Sequence, residues 1–326
     1  MIDRKLAAAL ALIVSACLAS PVEAADRLRF AIQKTGTVGW EIELIKARGL
    51  DKAADLEIET TELASTDAGK IALEGGSADI VVSDWLWVAR ERGLGDKLVF
   101  APYSSALGAV MTPKDSPIQS IADLEGRSIG VAGGPIDKSW LLLRAAARRS
   151  GLDLAKSARP SYGAPPLVAE KLAQGETDAA LEFWNFAADL ETRGFRRAIE
   201  MADVEKALGA SGPVAMTGYV FSESFAAEHK DALSRYFEAA AKAREILSQD
   251  PSAWEPIKAR LKLKDDAALE MYRKRYLDGI PRRTIAEEAD DARILYRALA
   301  DIAGKDLVGE AAELDVGLFY DPKKGE

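Results

Sequence analysis

The sequence predicts an α/β fold, and three observations predict it. Short apolar runs with strand character alternate with longer segments of helical apolar spacing over the N-terminal third of the chain. The same alternation starts again after Pro113. From His229 onward the apolar residues keep a helical spacing almost throughout. Alternating strands and helices are typical of βαβ units with a mostly parallel sheet, so we expect two α/β lobes and a helical C-terminal region.

The predicted strands and helices give the boundaries of the two lobes. The first lobe has four predicted strands, at 28–33, 56–63, 78–84 and 97–103. The second has predicted strands at 127–133 and 178–183 and a helix through 140–149. Two extended segments, 101–111 and 214–222, are expected to cross between the lobes as paired strands. We therefore expect a discontinuous first lobe, formed by 25–106 and 218–326 with the C-terminal helices, and a second lobe formed by 107–217.

Residues 1–24 are predicted to be a secretory signal peptide. Arg4 and Lys5 precede an apolar run at 6–14, and small residues around position 24 fit cleavage before Ala25. The run is far shorter than the roughly 20 residues that a membrane-spanning helix needs. The expected location is therefore the periplasm. An alternative interpretation takes 14–17 as a lipoprotein box, in which Cys17 carries a lipid anchor.

Charge and composition exclude several classes of protein. The chain has 43 Lys and Arg against 52 Asp and Glu, a formal charge of −9, which argues against a nucleic acid or an anionic membrane as partner. The single cysteine is Cys17 and the single histidine is His229. Metal sites rich in these residues, and catalytic groups built on Cys/His or Ser/His/Asp, therefore lack their parts. We expect no enzymatic activity and no cofactor.

Three short phrases, taken in order, carry a resemblance to a known family: LEGGSADI at 73–80, IADLEGRSIGV at 121–131 and LAQGETDAA at 172–180. Each resembles a recurring element of the periplasmic solute-binding proteins of ABC importers, in the branch of the nitrate, taurine, alkanesulfonate and thiamine-pyrimidine-precursor binders. The resemblance implies a type II two-lobed clamp that holds its ligand between the lobes and closes by hinge motion. It also implies delivery of a small solute to an ABC permease and its ATPase. Because members of this family are usually monomeric, the resemblance implies a monomer as well.

Candidate ligand residues follow from the position of the predicted strands, because ligands of open parallel sheets bind beyond the carboxyl ends of the strands. In the first lobe and at the crossover, the candidates are Thr37, Trp40, Asp84, Trp85, Ser104 and Ser105. In the second lobe they are Pro135, Asp137, Tyr162, Glu182, Trp184 and Asn185. Asp84 and Asp137 have a second interpretation as helix N-caps, and Trp40 has one as a core residue.

The charges of these loops indicate the class of solute. The loops carry more acids than lysines: Asp84, Asp137 and Glu182 against Lys34 and Lys138. They contain no arginine, although arginine is the usual bidentate partner of a carboxylate or sulfonate. Flat rings that can stack on a ring or a cation come from Trp40, Trp85, Tyr162 and Trp184. We expect a small neutral or cationic solute, for which a heteroaromatic ring is one option.

Two other functions stay open from the sequence. The same fold serves as an accessory protein to periplasmic quinoprotein dehydrogenases, and an exposed apolar patch above a few hundred Å² would favour that role. A calcium or lanthanide carrier is the third option, in which Asp84, Asp137 and Glu182 converge as hard oxygen ligands.

Overall fold

A computed structural model describes residues 25–309, 311 and 313–322. The predicted signal peptide and the candidate anchor Cys17 lie outside the described residues. The strands are β1 (Asp26–Gln33), β2 (Leu56–Leu63), β3 (Ile80–Asp84), β4 (Leu98–Ser104), β5 (Ala109–Thr112), β6 (Ser128–Ala132), β7 (Arg159–Gly163), β8 (Ala179–Glu182), β9 (Arg196–Glu200) and β10 (Thr217–Ser222).

Helices connect these strands and form most of the C-terminal region. Up to β10 they are α1 (Val38–Ala47), α2 (Leu50–Ala53), α3 (Thr66–Glu74), α4 (Trp85–Leu94), α5 (Lys138–Arg149), α6 (Leu154–Ser157), α7 (Pro165–Ala173), α8 (Trp184–Thr192) and α9 (Met201–Ala207). After β10 they are α10 (Glu223–Glu228), α11 (Lys230–Gln249), α12 (Glu255–Leu261), α13 (Asp266–Asp278), α14 (Ile285–Ala303) and α15 (Lys305–Val308). Single 3₁₀ turns are Ala122–Leu124, Pro251–Trp254 and Val316–Leu318. Within the described ranges, no helix has the length and apolar content to cross a membrane.

The strands form two five-stranded sheets with the same plan. The order is β2-β1-β3-β10-β4 in the first sheet and β7-β6-β8-β5-β9 in the second. In each sheet three strands run parallel, and one strand that arrives from the other sheet pairs antiparallel with two neighbours. The predicted pairing of the crossing segments is confirmed where β10 lies against β4. The prediction of an α/β fold is confirmed.

Two of the phrases noted in the sequence have the same structural role in the two sheets. Asp79 comes directly before β3, and its carboxylate accepts hydrogen bonds from the backbone and side chain of Arg29 in β1. Asp178 comes directly before β8, and its carboxylate accepts the backbone N–H of Ser128 in β6 at 2.7 Å. Each aspartate therefore fixes the register between the inner strands of its sheet.

The apolar core continues from one sheet to the other. One cluster of buried residues contains Val81 of the first sheet, Val131 of the second and Leu295 of α14. Helix α14 packs on α5, and α13 packs on α8, so the C-terminal helices contact helices of the second sheet. Arg275 of α13 adds an ion pair with Glu191 of α8.

The second crossing segment, between α9 and β10, is held by three buried acidic side chains. Glu288 accepts the backbone N–H of Ala215 at 2.7 Å. Glu205 accepts the N–H of Val214 at 3.4 Å. Asp291 accepts the N–H of Ser211 at 2.8 Å and pairs with Arg283. One carboxyl oxygen of Glu205 and one of Glu288 have no hydrogen-bond partner. The backbone of this crossing is therefore anchored by carboxyl groups and not by a sheet.

The stability of the protein is expected to fall as pH rises from about 5 to about 8, and Glu205→Gln is expected to reduce this fall. Burial raises the pKa of Glu205 well above its usual range and also raises the pKa of Glu288. The folded chain therefore holds protons that the unfolded chain has released, and their stabilising effect is lost as pH rises. Asp291 has a lowered pKa and stays ionised over this interval.

The measurement is the urea midpoint at both pH values for the wild type and for Glu205→Gln. Glu74→Gln, on an exposed helix end, is the matched control. Equal pH dependence in Glu205→Gln and the wild type would contradict the role given to Glu205.

Candidate functional site

The loops that follow β1 and β3 meet the loops that follow β6 and β8. The ring centroids of Trp40 and Trp184 lie 5.9 Å apart, with planes at 80°. The Lys138 Nζ lies 4.0 Å from an Asp84 carboxylate oxygen and 6.0 Å from the centre of the Phe183 ring. Strand ends from both sheets therefore come together at one place, where the sequence predicted the ligand cleft.

The two tryptophans belong to an aromatic cluster. Both Trp40 and Trp184 contact Tyr272 and Tyr276 of α13, and Trp40 also contacts Trp254. Trp40 is 3% exposed and Trp184 is 8% exposed. The structure thus brings the two predicted rings together, but protein covers most of both faces. The surroundings of Trp40 therefore agree with its interpretation as a core residue.

Trp85 lies apart from this cluster. Its side chain is fully buried, and its ring centroid is 6.5 Å from that of Tyr296 in α14. The ring has no free face for a solute, because the C-terminal helix covers it. The structure therefore places Trp85 in the core beneath the site, in contrast to the expected ligand contact.

Asp84 and Asp137 are both N-caps. An Asp84 carboxylate oxygen accepts the N–H of Trp87 at 3.0 Å, and an Asp137 oxygen accepts the N–H of Ser139 at 2.9 Å. Such caps satisfy backbone N–H groups that a helix start otherwise leaves unpaired. Burial raises the pKa of Asp137, and the Lys138 charge opposes this. Both aspartates stand at the junction of the lobes, where Asp84 also faces Lys138.

Glu182 is the buried titratable residue of the site whose carboxyl group has no side-chain partner. It is the last residue of β8 and is 1% exposed, and neither carboxyl oxygen has a hydrogen-bond partner. Burial raises the pKa of Glu182 to about 9; the backbone N–H of Phe183 opposes this rise, and the negative charge of Asp137 adds to it. The carboxyl group is therefore protonated and neutral at pH 7.

The hydroxyl candidates contact other groups of the protein. The Thr37 Oγ1 lies 3.4 Å from the hydroxyl of Tyr103. The Ser104 Oγ accepts the N–H of Ala106, and the Ser105 Oγ donates to the carbonyl of Gly279. The two serines therefore stabilise the first crossing between the sheets.

The remaining candidates lie around the strand ends of the second sheet. Pro135 and Tyr162 are exposed, and the Tyr162 ring contacts the edge of Trp140. Asn185 is half-buried in the first turn of α8. These side chains lie at or beyond the carboxyl ends of β6, β7 and β8.

A buried polar network behind Trp40 was missed in the sequence. Glu41 is fully buried and accepts hydrogen bonds from Tyr219 at 2.8 Å, Tyr276 at 3.1 Å and Arg244 at 2.7 Å. The Arg244 guanidinium also lies 5.3 Å from the centre of the Tyr103 ring. One arginine therefore does reach the site, but Glu41 neutralises it. The only sequence feature that pointed to this network was the acidic residue Glu41 in an otherwise apolar helical turn.

The expected convergence of three carboxylates is not found. Over the described parts of the chain, no three side chains of His, Cys, Asp or Glu form a group that could hold a metal ion. The cap bonds of Asp84 and Asp137 direct these carboxylates to backbone N–H groups. The geometry therefore does not favour the calcium or lanthanide carrier.

Solved structures with the same fold cover nearly all of the chain. The alkanesulfonate-binding protein SsuA from Xanthomonas axonopodis pv. citri bound to MOPS has a TM-score of 0.67 at 18% identity, over 92% of this chain and 99% of that chain. The periplasmic aliphatic sulphonate binding protein SsuA from Escherichia coli has a TM-score of 0.68 at 21% identity, over 90% and 91%. The ligand binding component of an ABC-type import system from Staphylococcus aureus with zinc bound has a TM-score of 0.65 at 10% identity, over 91% and 97%.

These likenesses define the class: the protein has the two-lobed fold of periplasmic solute-binding proteins, as the sequence resemblance implied. No curated protein sequence matches the chain. The family model described as NMT1/THI5 like matches residues 45–253. The chain belongs to the NMT1/THI5-like family.

Proposed function

We propose that the protein captures a small solute between its two lobes in the periplasm and delivers it to an ABC permease and its ATPase. The observation that carries this proposal is the meeting of strand-end loops from both sheets, at Trp40 with Trp184 and at Asp84 with Lys138. A ligand that contacts both loops favours the closed arrangement by its differential affinity for it. The role is binding without chemical conversion. The single histidine, His229, lies against the Phe225 ring at the junction of α10 and α11.

The lobes that close on the solute are proposed as 25–106 with 218–326 and as 107–217. The chain passes between the sheets where these boundaries fall, from β4 to β5 and from α9 to β10. A signal peptide at 1–24 directs the chain to the periplasm in this proposal.

The solute is proposed to be neutral or cationic, with a heteroaromatic ring as one option. The charges of the site support this class, because Asp137 is acidic, Glu182 becomes negative when it loses its proton, and Arg244, the arginine behind Trp40, is paired with Glu41. The names of the two SsuA structures state sulfonate ligands, which are anionic. An anion here would lie beside a buried acid without a free guanidinium to offset its charge.

A thermal-shift screen of the mature chain, residues 25–326, is the direct test. We expect stabilisation by an amine or a heteroaromatic cation, since a ligand that binds only the folded state stabilises it by mass action. At about 100 times its dissociation constant this amounts to roughly 2.7 kcal/mol, or about 2 to 4 °C in Tm. The panel also contains nitrate, alkanesulfonates, pyrimidines, polyols, calcium and lanthanum.

The outcomes separate the parts of the proposal. Stabilisation by alkanesulfonates alone would contradict the solute class while leaving capture intact. No response to any compound would argue against solute capture.

An accessory role through protein contact is the second candidate. Ile136, Tyr162 and Leu167 are 55%, 42% and 52% exposed; Ile136 follows β6, and Tyr162 lies in β7, which pairs with β6. A protein-binding surface requires that such side chains form one contiguous apolar patch. If no small molecule stabilises the protein in the thermal-shift screen, the result would favour this accessory role.

A further inference from the structure

The position of Glu182 is fixed from two sides. Its backbone pairs with Ala109 of β5, and Gly108 packs so closely on it that a Cβ there would lie 1.9 Å from the Glu182 carbonyl oxygen. The residue that follows, Phe183, is the N-cap of α8, whose first residue is Trp184. The Glu182 carboxyl group is therefore held at the strand end by backbone contacts, and its own oxygens take no part in holding it.

The carboxyl group has no partner that would account for its burial. Both oxygens are buried without a hydrogen bond, and the described chain gives Glu182 no ion pair. Lys138, the lysine of the neighbouring loop, lies instead at the Asp84 carboxylate and over the Phe183 ring. A buried acid that is left unsatisfied costs stability, and binding a complementary group would recover this cost.

Once Glu182 is ionised, its surroundings favour a positive partner over a neutral or negative one. The other charged group that acts on Glu182 is Asp137, which is an acid and would repel an anion. Trp184, two residues further on, meets Trp40 at the same junction, where neighbouring rings cover most of both faces. The selection for a cation therefore comes from the carboxyl groups.

We propose that Glu182 is the residue that determines specificity: its carboxylate accepts the N–H groups of a cationic nitrogen on the solute, an ammonium or amidinium, and its proton leaves to solvent as the solute binds. This inference rests on the proposed solute capture and narrows its ligand to a cation. The free site has a pKa of about 9 at this carboxyl, so the proton is present before binding at neutral pH.

Proton release on binding is a measurable effect that a purely structural role of Glu182 would not produce. Affinity for a cation rises with pH by up to about tenfold per unit below the pKa of the free carboxyl, because the proton no longer has to be displaced. Binding of a neutral solute would release no proton. Calorimetry in two buffers with different ionisation enthalpies counts the protons released per bound solute.

The experiment uses the mature chain with a panel of matched compounds: alkylamines, benzylamine and benzamidine, their neutral amides, and sulfonates of the same carbon skeletons. Glu182→Gln keeps the shape of the side chain but cannot ionise. Glu176→Gln, on the exposed turn before β8, is the matched control. Thermal melts of the unliganded variants check folding, and carbon-13 NMR of labelled glutamate identifies the carboxyl signal that Glu182→Gln removes.

The expected result is binding of a cationic member with release of about one proton, at least about tenfold weaker in Glu182→Gln and unchanged in Glu176→Gln. Equal binding to the wild type and Glu182→Gln, or preference for a neutral amide or sulfonate, would overturn the role of Glu182 while solute capture stands. Titration of the removed carboxyl signal below pH 7 would also overturn it. If no compound of the panel or of the thermal-shift screen binds the wild type, the proposed function fails, and this inference fails with it.

Discussion

Alanine in place of Gly108 is expected to destabilise the protein by more than about 4 kcal/mol or to prevent folding. Gly108 has φ of +117°, a conformation that L side chains rarely adopt. A Cβ at this position would lie 1.9 Å from the Glu182 carbonyl oxygen and 2.9 Å from the backbone of Phe183 and Trp184. These are backbone atoms at the end of β8 and the start of α8, so they cannot move aside without disturbing the pairing of β5 with β8.

Gly95 is the matched control for this prediction. Its φ is +107°, but no atom lies within 4 Å of the position of a Cβ there. Gly95→Ala therefore carries the conformational strain alone, about 1 to 2 kcal/mol. Urea unfolding and the yield of folded protein measure both variants. Similar losses in the two variants would show that Gly108 does not approach β8 as closely as described.

Glu41→Ala is expected to cost about 3 to 5 kcal/mol, the second largest effect. The substitution removes the common acceptor of Arg244, Tyr219 and Tyr276, and it leaves a largely buried guanidinium without a counter-charge. Removing one partner of a buried pair costs more than the pair contributes, because the remaining charge stays desolvated.

The measurement is the free energy of unfolding in urea, with Glu43→Ala as control. Glu43 lies on the exposed face of the same helix and pairs with Arg260 at the surface. We expect a much smaller loss there, since exposed ion pairs contribute little. A loss in Glu41→Ala as small as that in Glu43→Ala would contradict the account of the network.

The sequence predicted those parts of the site that depend on local pattern. Strand ends followed by polar loops located Thr37, Asp84, Asp137 and Glu182, since the carboxyl ends of parallel strands share one edge. The capping interpretation of the two aspartates is confirmed, and caps also follow from local sequence. The strands β1 to β4 were also predicted from local pattern, because each contains a run of apolar residues.

What the sequence could not predict depends on contacts between distant segments. Trp85 looks like a cleft residue until α14 covers it with Tyr296. Glu41 gains its partners only when α11, α13 and β10 pack together. The short strands β5 and β9 carry too few residues for a periodic pattern, and their pairing with distant strands stabilises them.

The two connections between the sheets differ in how they can change over evolution. The first depends on Gly108, where the backbone itself fills the space and almost any replacement is excluded. The second depends on Glu205, Glu288 and Asp291, whose carboxyl groups accept hydrogen bonds from the backbone. The pH response of the second connection is therefore open to change by a single substitution such as Glu205→Gln, while the first connection tolerates almost none.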